Sequence, residues 1–307
     1  MLSIGMLGLG RMGGNMARRL ARGGVRVYAY DADPAVRRAL ASEKVITPAD
    51  SPRSLVEALA PPRVIWNMLP AGAITESALE TLKTLLARGD VVVDGGNANY
   101  KDSQRRGALF AGLGIHFVDC GVSGGVWGLE NGYALMFGSD EAAARIIEPY
   151  IRMLAPGPDI GWLHCGPCGS GHFVKMIHNG IEYGMMQAFA EGLALMRGKT
   201  EFALDLARIA ETWRHGSVVR SWLLDLTAEF LRADSDLAGV APVVADSGEG
   251  RWTAQEAIEQ GVPAPVMSLA LMMRFASQGR GDYAGRLLAM MRNAFGGHAI
   301  ESAPDAK

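Results

Sequence analysis

The sequence predicts an α/β protein with a doubly wound sheet in its first half and an all-α domain in its second half. Two observations support this prediction. Up to residue 164, short apolar runs alternate with stretches of helical spacing, which is typical of a parallel sheet covered by helices on both faces. Beyond residue 171, strand-like runs nearly vanish while helical spacing continues. In a chain of 307 residues we therefore expect two domains, at 1–164 and 165–307.

Short runs rich in apolar and β-branched residues predict the strands of the first domain. They cover residues 2–7, 25–30, 64–68, 91–94 and 115–119. Helical spacing between these runs predicts helices at 12–22, 34–42, 74–86 and 102–113. A run at 133–137, a helix near 141–154 and a strand near 160–163 complete the predicted domain.

The second domain opens with a long helical pattern at 171–197 that contains no proline. Further helices are predicted at 201–213, 218–232, 253–260, 266–278 and 283–293. The first helix carries apolar residues over most of its circumference, which predicts that it is buried.

The charge balance excludes some classes of partner. Thirty lysines and arginines stand against 32 aspartates and glutamates, which gives a formal net charge of −2, and they form no basic cluster. Nucleic acids and anionic membrane surfaces are therefore not expected as main partners. The arginine pairs at 18–19, 37–38 and 105–106 are interpreted as parts of solvated helix faces.

Cysteine usage and hydropathy predict a cytoplasmic protein. The three cysteines cannot form a disulfide framework, which favours a reducing compartment. No apolar run approaches the ~20 residues that span a bilayer, and the first residues lack the basic region and cleavage site of a signal peptide.

A glycine loop follows the first predicted strand and leads directly into a helix. It has the G-x-G-x-x-G pattern of a Rossmann-like dinucleotide-binding domain, in which glycines allow a tight turn and a helix N-terminus faces the pyrophosphate. The residues expected to bind a dinucleotide here are Gly8, Leu9, Gly10, Arg11, Met12 and Gly13.

Asp31 stands at the end of the second predicted strand, 18 residues after Gly13. An acid at this place accepts hydrogen bonds from the ribose hydroxyls of NAD and would repel the 2′-phosphate of NADP. Residues 31–33 contain no arginine or lysine. We therefore expect NAD to be preferred over NADP.

A polar stripe lies on the long helix that opens the second domain. Lys175, His178, Asn179 and Glu182 stand at i, i+3, i+4 and i+7, on one helical face. Such a stripe usually faces solvent, but its neighbours on the helix are apolar, which favours a buried functional site.

This helix resembles the signature helix of the 6-phosphogluconate dehydrogenase family over residues 171–184. Four further segments resemble motifs of the same family: 94–100, 119–125, 248–253 and 292–298. The resemblance extends over the whole chain. The length is that of the short, NAD-preferring branch of the family rather than the commoner long form.

The resemblance implies oxidative decarboxylation of 6-phosphogluconate to ribulose 5-phosphate and CO2, within the pentose phosphate pathway and gluconate utilisation. Lys175 would take the proton of the 3-hydroxyl group and later donate it to the 3-keto oxygen, so that no metal is needed. A free lysine has a pKa of about 10.4, so a base near neutral pH needs surroundings that lower this pKa. Glu182 would protonate C1 after CO2 has left.

The resemblance also implies a set of binding residues. The carboxylate and hydroxyls of the sugar acid would be bound by Asn97, Ser123, Gly124, Gly125, His178 and Asn179. The phosphate would be bound by Tyr183, Arg274, Arg292 and His298. Met68, Leu69, Pro70 and Asn97 would complete the cofactor site. In this family the C-terminal residues reach into a neighbouring subunit, which implies a homo-oligomer, either a dimer or a tetramer.

One departure from the long form concerns the phosphate end. Ser247 and Glu249 stand where the long form carries a lysine and a threonine. A missing cation and an added acid weaken phosphate recognition, which depends on charge-assisted hydrogen bonds. Arg251 nearby is a candidate to compensate.

Other functions stay open at this point. A β-hydroxyacid dehydrogenase acting on a smaller 3-hydroxy acid shares the glycine loop, the Ser-Gly-Gly loop and the lysine. A non-catalytic NAD-binding sensor is a further alternative. Cys165 and Cys168 match a C-x-x-C redox motif, and with His164 and His172 they form a conceivable zinc site, but the glycines after them favour a turn between domains.

Overall fold

The computed structural model describes residues 1–296 and residue 299, and it divides the chain into two compact units, residues 1–178 and residues 179 onward. In the described part of the first unit, eight strands form one sheet in the order β3-β2-β1-β4-β5-β6-β7-β8. The strands are β1 Ser3–Leu7, β2 Arg26–Tyr30, β3 Thr47–Pro48, β4 Val64–Asn67, β5 Val91–Asp94, β6 His116–Ser123, β7 Ala134–Gly138 and β8 Trp162–Gly166.

The sheet is parallel from β3 across to β6, but β7 pairs with β6 in antiparallel fashion and β8 is parallel to β7. The sheet is therefore mostly parallel, with one antiparallel pair at this edge. The physical reason is the short connection at 124–133, which holds only a 3₁₀ turn and a four-residue helix. A parallel crossover needs a dozen or more residues, so the chain turns back on itself.

Helices cover both faces of the sheet. In the first unit they are α1 Arg11–Arg22, α2 Pro34–Ser42, α3 Pro52–Glu57, α4 Ala73–Leu85, α5 Tyr100–Gly112, α6 Gly128–Asn131 and α7 Glu141–Leu154. Strand β3 and helix α3 escape the sequence analysis because two and six residues are too few to show a period.

Two apolar clusters form the core of the first unit, one on each face of the sheet. Along β5, Val91 and Val93 belong to one cluster and Val92 to the other, and all three side chains are fully buried. This alternation follows from the two-residue period of a strand. The parallel direction of β1, β2, β4, β5 and β6 brings their carboxyl ends to one edge of the sheet, where ligands bind in doubly wound folds.

The second unit is helical. Helix α8 Ser170–Gly198 begins in the first unit and continues into the second, where α9 Leu206–Trp213, α10 Trp222–Ala233, α11 Glu249–Gln260, α12 Pro265–Ser277 and α13 Asp282–Gly296 follow. No strand occurs between residues 179 and 296. The predicted fold class, a Rossmann-like doubly wound sheet followed by an all-α domain, is confirmed.

The prediction that α8 is buried along its length is wrong for its second half. Met185 is 39% exposed and Leu195 is 77% exposed, although the helix is apolar over most of its circumference. Among the described helices, none is long and apolar enough to cross a membrane.

Candidate active site

The glycine loop connects β1 to α1 and leaves one side open. Gly8 has a φ of +86°, and its backbone N–H donates to the carbonyl oxygen of Tyr30 at 3.0 Å. A Cβ atom at Gly13 would overlap the carbonyl oxygen of Gly8, whereas a Cβ atom at Gly10 would meet no described atom within 4 Å. The loop is therefore closed on the protein side, and Gly10 faces open space at the N-terminus of α1.

Asp31 lies directly beside this loop. Its carboxylate accepts hydrogen bonds from the backbone N–H of Leu9 at 2.6 Å and from that of Asp33 at 2.9 Å. A cleft of about 470 Å³ adjoins the carboxylate. Its walls are mostly apolar: Leu7, Gly8, Tyr30, Asp31, Ala32, Pro52, Leu69, Ala73, Ile74, Ser77, Ala78 and Thr81. An apolar cleft that ends at a carboxylate and a glycine loop fits the adenosine and pyrophosphate of NAD.

The segment after β4 lies against the same edge of the sheet. Met68 donates its backbone N–H to the carbonyl oxygen of Leu7 at 2.8 Å, and Leu69 lines the cleft. The buried Asn67 side chain donates to Asp94 Oδ1 at 3.2 Å and so connects β4 to β5. The predicted cofactor residues Met68, Leu69 and Pro70 thus follow directly after the strand beside the glycine loop.

The loop after β5 carries Asn97 in a left-handed conformation, with a φ of +51°. Its Oδ1 accepts a hydrogen bond from the backbone N–H of Val122 at 3.3 Å. Asparagine tolerates this backbone conformation better than most residues. The loop is thereby held against the end of β6, next to the Ser123-Gly124-Gly125 segment.

A buried ion pair supports this loop. Arg106 is 2% exposed and donates to Asp94 at 2.8 Å and to Glu76 at 2.7 Å. Burial raises the pKa of Glu76, but hydrogen bonds and charges from Arg106 and Arg105 outweigh it, so the pKa lies below its usual value. The interpretation of Arg106 as a solvated residue is wrong, because helix α5 turns it toward the sheet.

The interpretation as a solvated residue is also wrong for Arg19, in the arginine pair at 18–19. Its guanidinium donates to the carbonyl oxygens of Met153 at 3.0 Å and of Ala155 at 2.6 Å. It therefore connects α1 to the end of α7 instead of facing solvent alone.

Lys175 and His178 lie at the start of α8, beside the end of β6. Lys175 is 5% exposed, and a Cβ atom at Gly121 would overlap its side chain. Lys175 Nζ lies 3.4 Å from His178 Nδ1, and His178 Nε2 lies 3.4 Å from Ser123 Oγ. The structure thus brings together Lys175, His178 and the Ser123-Gly124-Gly125 segment.

In the second unit, Tyr183 and Arg274 form a stacked pair. The Arg274 Cζ lies 3.4 Å from the centre of the Tyr183 ring, and its Nη1 donates to the carbonyl oxygen of Ala245 at 2.8 Å. The Tyr183 hydroxyl lies 3.4 Å from Ser247 Oγ. Ser247 donates in turn to Glu249 at 2.5 Å, and Glu249 is 7% exposed.

Arg251 is bound to an acid of its own. Its guanidinium donates to both carboxylate oxygens of Asp246, and this hydrogen bonding lowers the pKa of Asp246. It also lies 4.5 Å from the centre of the Phe275 ring.

The remaining predicted residues occupy varied positions. Asn179 and Glu182 lie on α8 within the second unit and are partly exposed, and Arg292 is exposed on α13. His298 lies outside the described residues.

The two cysteines of the C-x-x-C motif stand in a turn before α8. The Cys168 thiol donates to the carbonyl oxygen of Ser103 at 3.2 Å. Burial, together with the charge of Asp119, raises the pKa of both Cys168 and Cys165. A raised pKa disfavours the thiolate that redox chemistry requires. The part of the chain that the structure describes also contains no group of three or more His, Cys, Asp or Glu side chains suited to a metal.

Two matches cover most of the chain. Residues 3–166 match the NAD binding domain of 6-phosphogluconate dehydrogenase, and residues 171–284 match the C-terminal domain of 6-phosphogluconate dehydrogenase. The chain belongs to the 6-phosphogluconate dehydrogenase family. A relative from Haloferax volcanii, named an NAD(+)-dependent, decarboxylating 6-phosphogluconate dehydrogenase, is 41% identical over 99% of this chain and 100% of its own.

Solved structures support the same family. The 6-phosphogluconate dehydrogenase of Plasmodium falciparum, described with its cofactor NADP+ and its substrate 6-phosphogluconate, aligns with a TM-score of 0.83 and 26% identity. The alignment covers 99% of this chain and 67% of that one. A 3-hydroxyisobutyrate dehydrogenase from Salmonella typhimurium aligns over 92% of this chain and 95% of its own, with a TM-score of 0.76 and 23% identity, which shows a shared fold.

The roles of three residues near the site were not predicted from the sequence. Arg37 donates to the carbonyl oxygen of Asp31 and lies 5.4 Å from the centre of the Tyr30 ring, so a cation does stand near the expected ribose site. Arg106 supports the Asn97 loop. Asp119 binds the start of α8. Asp119 could have been noticed in the sequence because a charged residue stands just before the Ser123-Gly124-Gly125 segment. Arg37 gave no such signal, since it lies on helix α2, outside any motif.

Proposed function

We propose that this protein is an NAD-dependent enzyme that oxidatively decarboxylates 6-phospho-D-gluconate to D-ribulose 5-phosphate and CO2. The observation that carries the proposal is the buried Lys175, held within reach of His178 and beside the Ser123 loop at the ligand-binding edge of the sheet. Membership of the family and the full-length relative from Haloferax volcanii favour the same reaction.

Lys175 is the residue that moves the proton of the substrate's 3-hydroxyl group. NAD bound at the glycine loop would supply the acceptor for the hydride that leaves C3. The resulting β-keto acid would lose its carboxylate as CO2 while the Lys175 ammonium donates its proton to the 3-keto oxygen, which leaves an enediol. Glu182 would protonate the carbon that becomes C1 of the product while Lys175 takes the proton back from the enol hydroxyl, which yields ribulose 5-phosphate. General acid and base catalysis of this kind accounts for about 10²–10⁴ in rate for each group.

The cofactor is held by the first domain, proposed at residues 1–164. The pyrophosphate lies against the glycine loop, formed by Gly8, Leu9, Gly10, Arg11, Met12 and Gly13. The Asp31 carboxylate accepts hydrogen bonds from the ribose hydroxyls. Met68, Leu69, Pro70 and Asn97 complete this site. The carboxylate of Asp31 favours NAD over NADP, because it would lie next to the 2′-phosphate.

The substrate-binding residues are those that the family resemblance implies, and the second domain is proposed at 165–307. Asn97, Ser123, Gly124, Gly125, His178 and Asn179 bind the carboxylate and hydroxyls of the sugar acid. Tyr183 and Arg274 bind the phosphate, with Arg292 and His298 supplied by a neighbouring subunit.

A homo-oligomer follows from this assignment of the C-terminal residues. Exposed apolar side chains in the second unit support it, because such surface is normally covered by a partner. They include Ile181, Met185, Met272, Leu288 and Met290, each at least 39% exposed.

We assign the enzyme to the cytoplasm and to the pentose phosphate pathway and gluconate utilisation.

A second candidate function is oxidation of a smaller 3-hydroxy acid without phosphate. One observation favours it: the Glu249 carboxylate stands at the expected phosphate end and binds Ser247, which lies near Tyr183. Arg251, the expected substitute for the missing lysine, is already paired with Asp246, so its charge is not available to a phosphate.

One assay separates these functions. Purified protein is incubated with NAD and 6-phosphogluconate, gluconate or 3-hydroxyisobutyrate, and NADH and CO2 are both measured. Equal amounts of NADH and CO2 from 6-phosphogluconate, with kcat/KM at least 100-fold above that for gluconate, support the proposal. NADH without CO2 from 3-hydroxyisobutyrate supports the second candidate. NAD binding without turnover of any of the three acids contradicts both.

A further inference from the structure

Asp119 is a buried carboxylate that receives the first turn of α8. It stands in β6 and is 0% exposed. Its carboxylate accepts hydrogen bonds from the backbone N–H of Gly169 at 2.5 Å and from that of His172 at 2.7 Å. The first N–H groups of a helix have no partner within the helix, and a negative charge at this end is favourable. Asp119 therefore anchors the N-terminus of the helix that carries Lys175.

Strand β6 and helix α8 contact each other in a regular register. Asp119, Gly121 and Ser123 lie on one face of the strand, since side chains alternate along it. Asp119 binds the backbone at His172, Gly121 packs against Lys175, and Ser123 lies beside His178. The helix residues 172, 175 and 178 are each one turn apart. The first of these contacts is the strongest, because it is charge-assisted.

We propose that Asp119 is a positioning residue, which sets the place of Lys175 and His178 through the start of α8. This inference rests on the proposed function. Asp119 itself contacts backbone groups of α8 and carries no step of the reaction. Its two bonds fix the height of the helix along β6, and displacement of a reacting group by about 1 Å can lower a rate by about 100-fold.

The test substitutes Asp119→Asn and compares Asp140→Asn as a matched control. Asp140 is also an aspartate that binds the first turn of a helix in the same unit, since its Oδ1 accepts the N–H of Ala143 at the start of α7 at 2.9 Å. An asparagine at 119 keeps one acceptor oxygen and turns an NH2 group toward the second backbone N–H. We expect kcat to fall about 100-fold with both KM values within about threefold, and the kinetic isotope effect of substrate deuterated at C3 to rise. Asp140→Asn should leave kcat within about twofold.

Three results would overturn the inference. The first is unchanged kcat in Asp119→Asn, the second is a loss that parallels the folded fraction measured by circular dichroism, and the third is the same loss in Asp140→Asn. If Asp119→Asn does not fold, Asp119→Ser replaces it, since serine removes the charge and keeps one oxygen at the same position of β6. An unchanged kcat in that variant overturns the inference equally.

A second measurement is independent of the reaction. Acetylation of Lys175 by acetic anhydride, followed by mass spectrometry, reports the surroundings of the amine without any substrate. We expect its rate to change at least threefold in Asp119→Asn and not in Asp140→Asn. If wild type fails to oxidise 6-phosphogluconate, the proposed function fails while this measurement still decides the role of Asp119; an unchanged rate contradicts that role.

Discussion

Lys175 Nζ lies 3.4 Å from His178 Nδ1, and the opposite ring nitrogen of the same histidine lies 3.4 Å from Ser123 Oγ. The imidazole thus stands between the amine and the loop that follows β6. An imidazole in this position can accept from the ammonium while donating to the hydroxyl. This arrangement holds Lys175 beside the end of β6.

Replacing Lys175 tests its role as the base. We expect Lys175→Met to lower kcat for NADH formation at least 100-fold, because methionine fills the buried space without a group that takes a proton. NAD affinity, measured by calorimetry, should stay within about threefold. Lys199→Met is the control, since Lys199 is exposed and paired with Glu201. More than a few per cent of wild-type kcat in Lys175→Met would contradict the assignment.

Replacing Glu182 should affect a different step. In Glu182→Gln we expect hydride transfer to proceed, so that stopped-flow experiments show a burst of NADH, while steady-state turnover falls about 100-fold because protonation of the enediol is slow. Glu191→Gln, an exposed carboxylate on the same helix that binds Gln187, serves as the control. A burst that is slowed as much as the turnover would argue against the assignment.

The local part of the site could be predicted from the sequence. Gly8, Gly13 and Asp31 follow from two neighbouring strands and one turn, and the hydrogen bonds from Gly8 to Tyr30 and from Leu9 to Asp31 join these elements. The direction of β7 could not be predicted, because its residue pattern is the same in either direction. The stacking of Arg274 on Tyr183 was also out of reach, since it depends on how α8 and α12 pack.

The preference for NAD depends on Asp31. In the double variant Asp31→Ser with Ala32→Arg, we expect the ratio of kcat/KM for NADP over NAD to rise at least 100-fold, because the carboxylate is removed and a cation is added beside the 2′-phosphate. Asp33→Ser is the control, because serine can replace Asp33 as the N-cap of α2. An NADP preference in the wild type would refute the assignment and point to Arg37, which already lies beside Asp31.

Two glycines of the same loop should respond differently to alanine. At Gly10 a methyl group meets no described atom within 4 Å, so the melting temperature of Gly10→Ala should stay within about 2 °C of wild type. NAD should bind to this variant at least tenfold more weakly, because the methyl lies where the pyrophosphate approaches. At Gly13 the methyl overlaps the Gly8 carbonyl, so Gly13→Ala should destabilise the protein by about 1–3 kcal/mol. Thermal unfolding and calorimetry measure both effects, and unchanged NAD affinity in Gly10→Ala would remove the loop from the cofactor site.

The pair of Glu76 with Arg106 predicts a pH dependence of stability. Because the pKa of Glu76 is lowered in the folded protein, its contribution is complete above the ordinary value of 4.5 and is lost as the pH falls through the folded value. Glu76→Gln should therefore lower the free energy of unfolding at pH 7 by about 1 kcal/mol, a modest figure because the carboxylate is 34% exposed.

The difference between wild type and Glu76→Gln should shrink as the pH falls below 4.5, as measured by urea unfolding at pH 7 and at pH 3. Glu80→Gln, on the same helix and paired with Lys83, should stay within about 0.5 kcal/mol of wild type at either pH. A difference for Glu76→Gln that persists undiminished at pH 3 would mean that packing, and not the charge of Glu76, holds Arg106 and the Asn97 loop behind it.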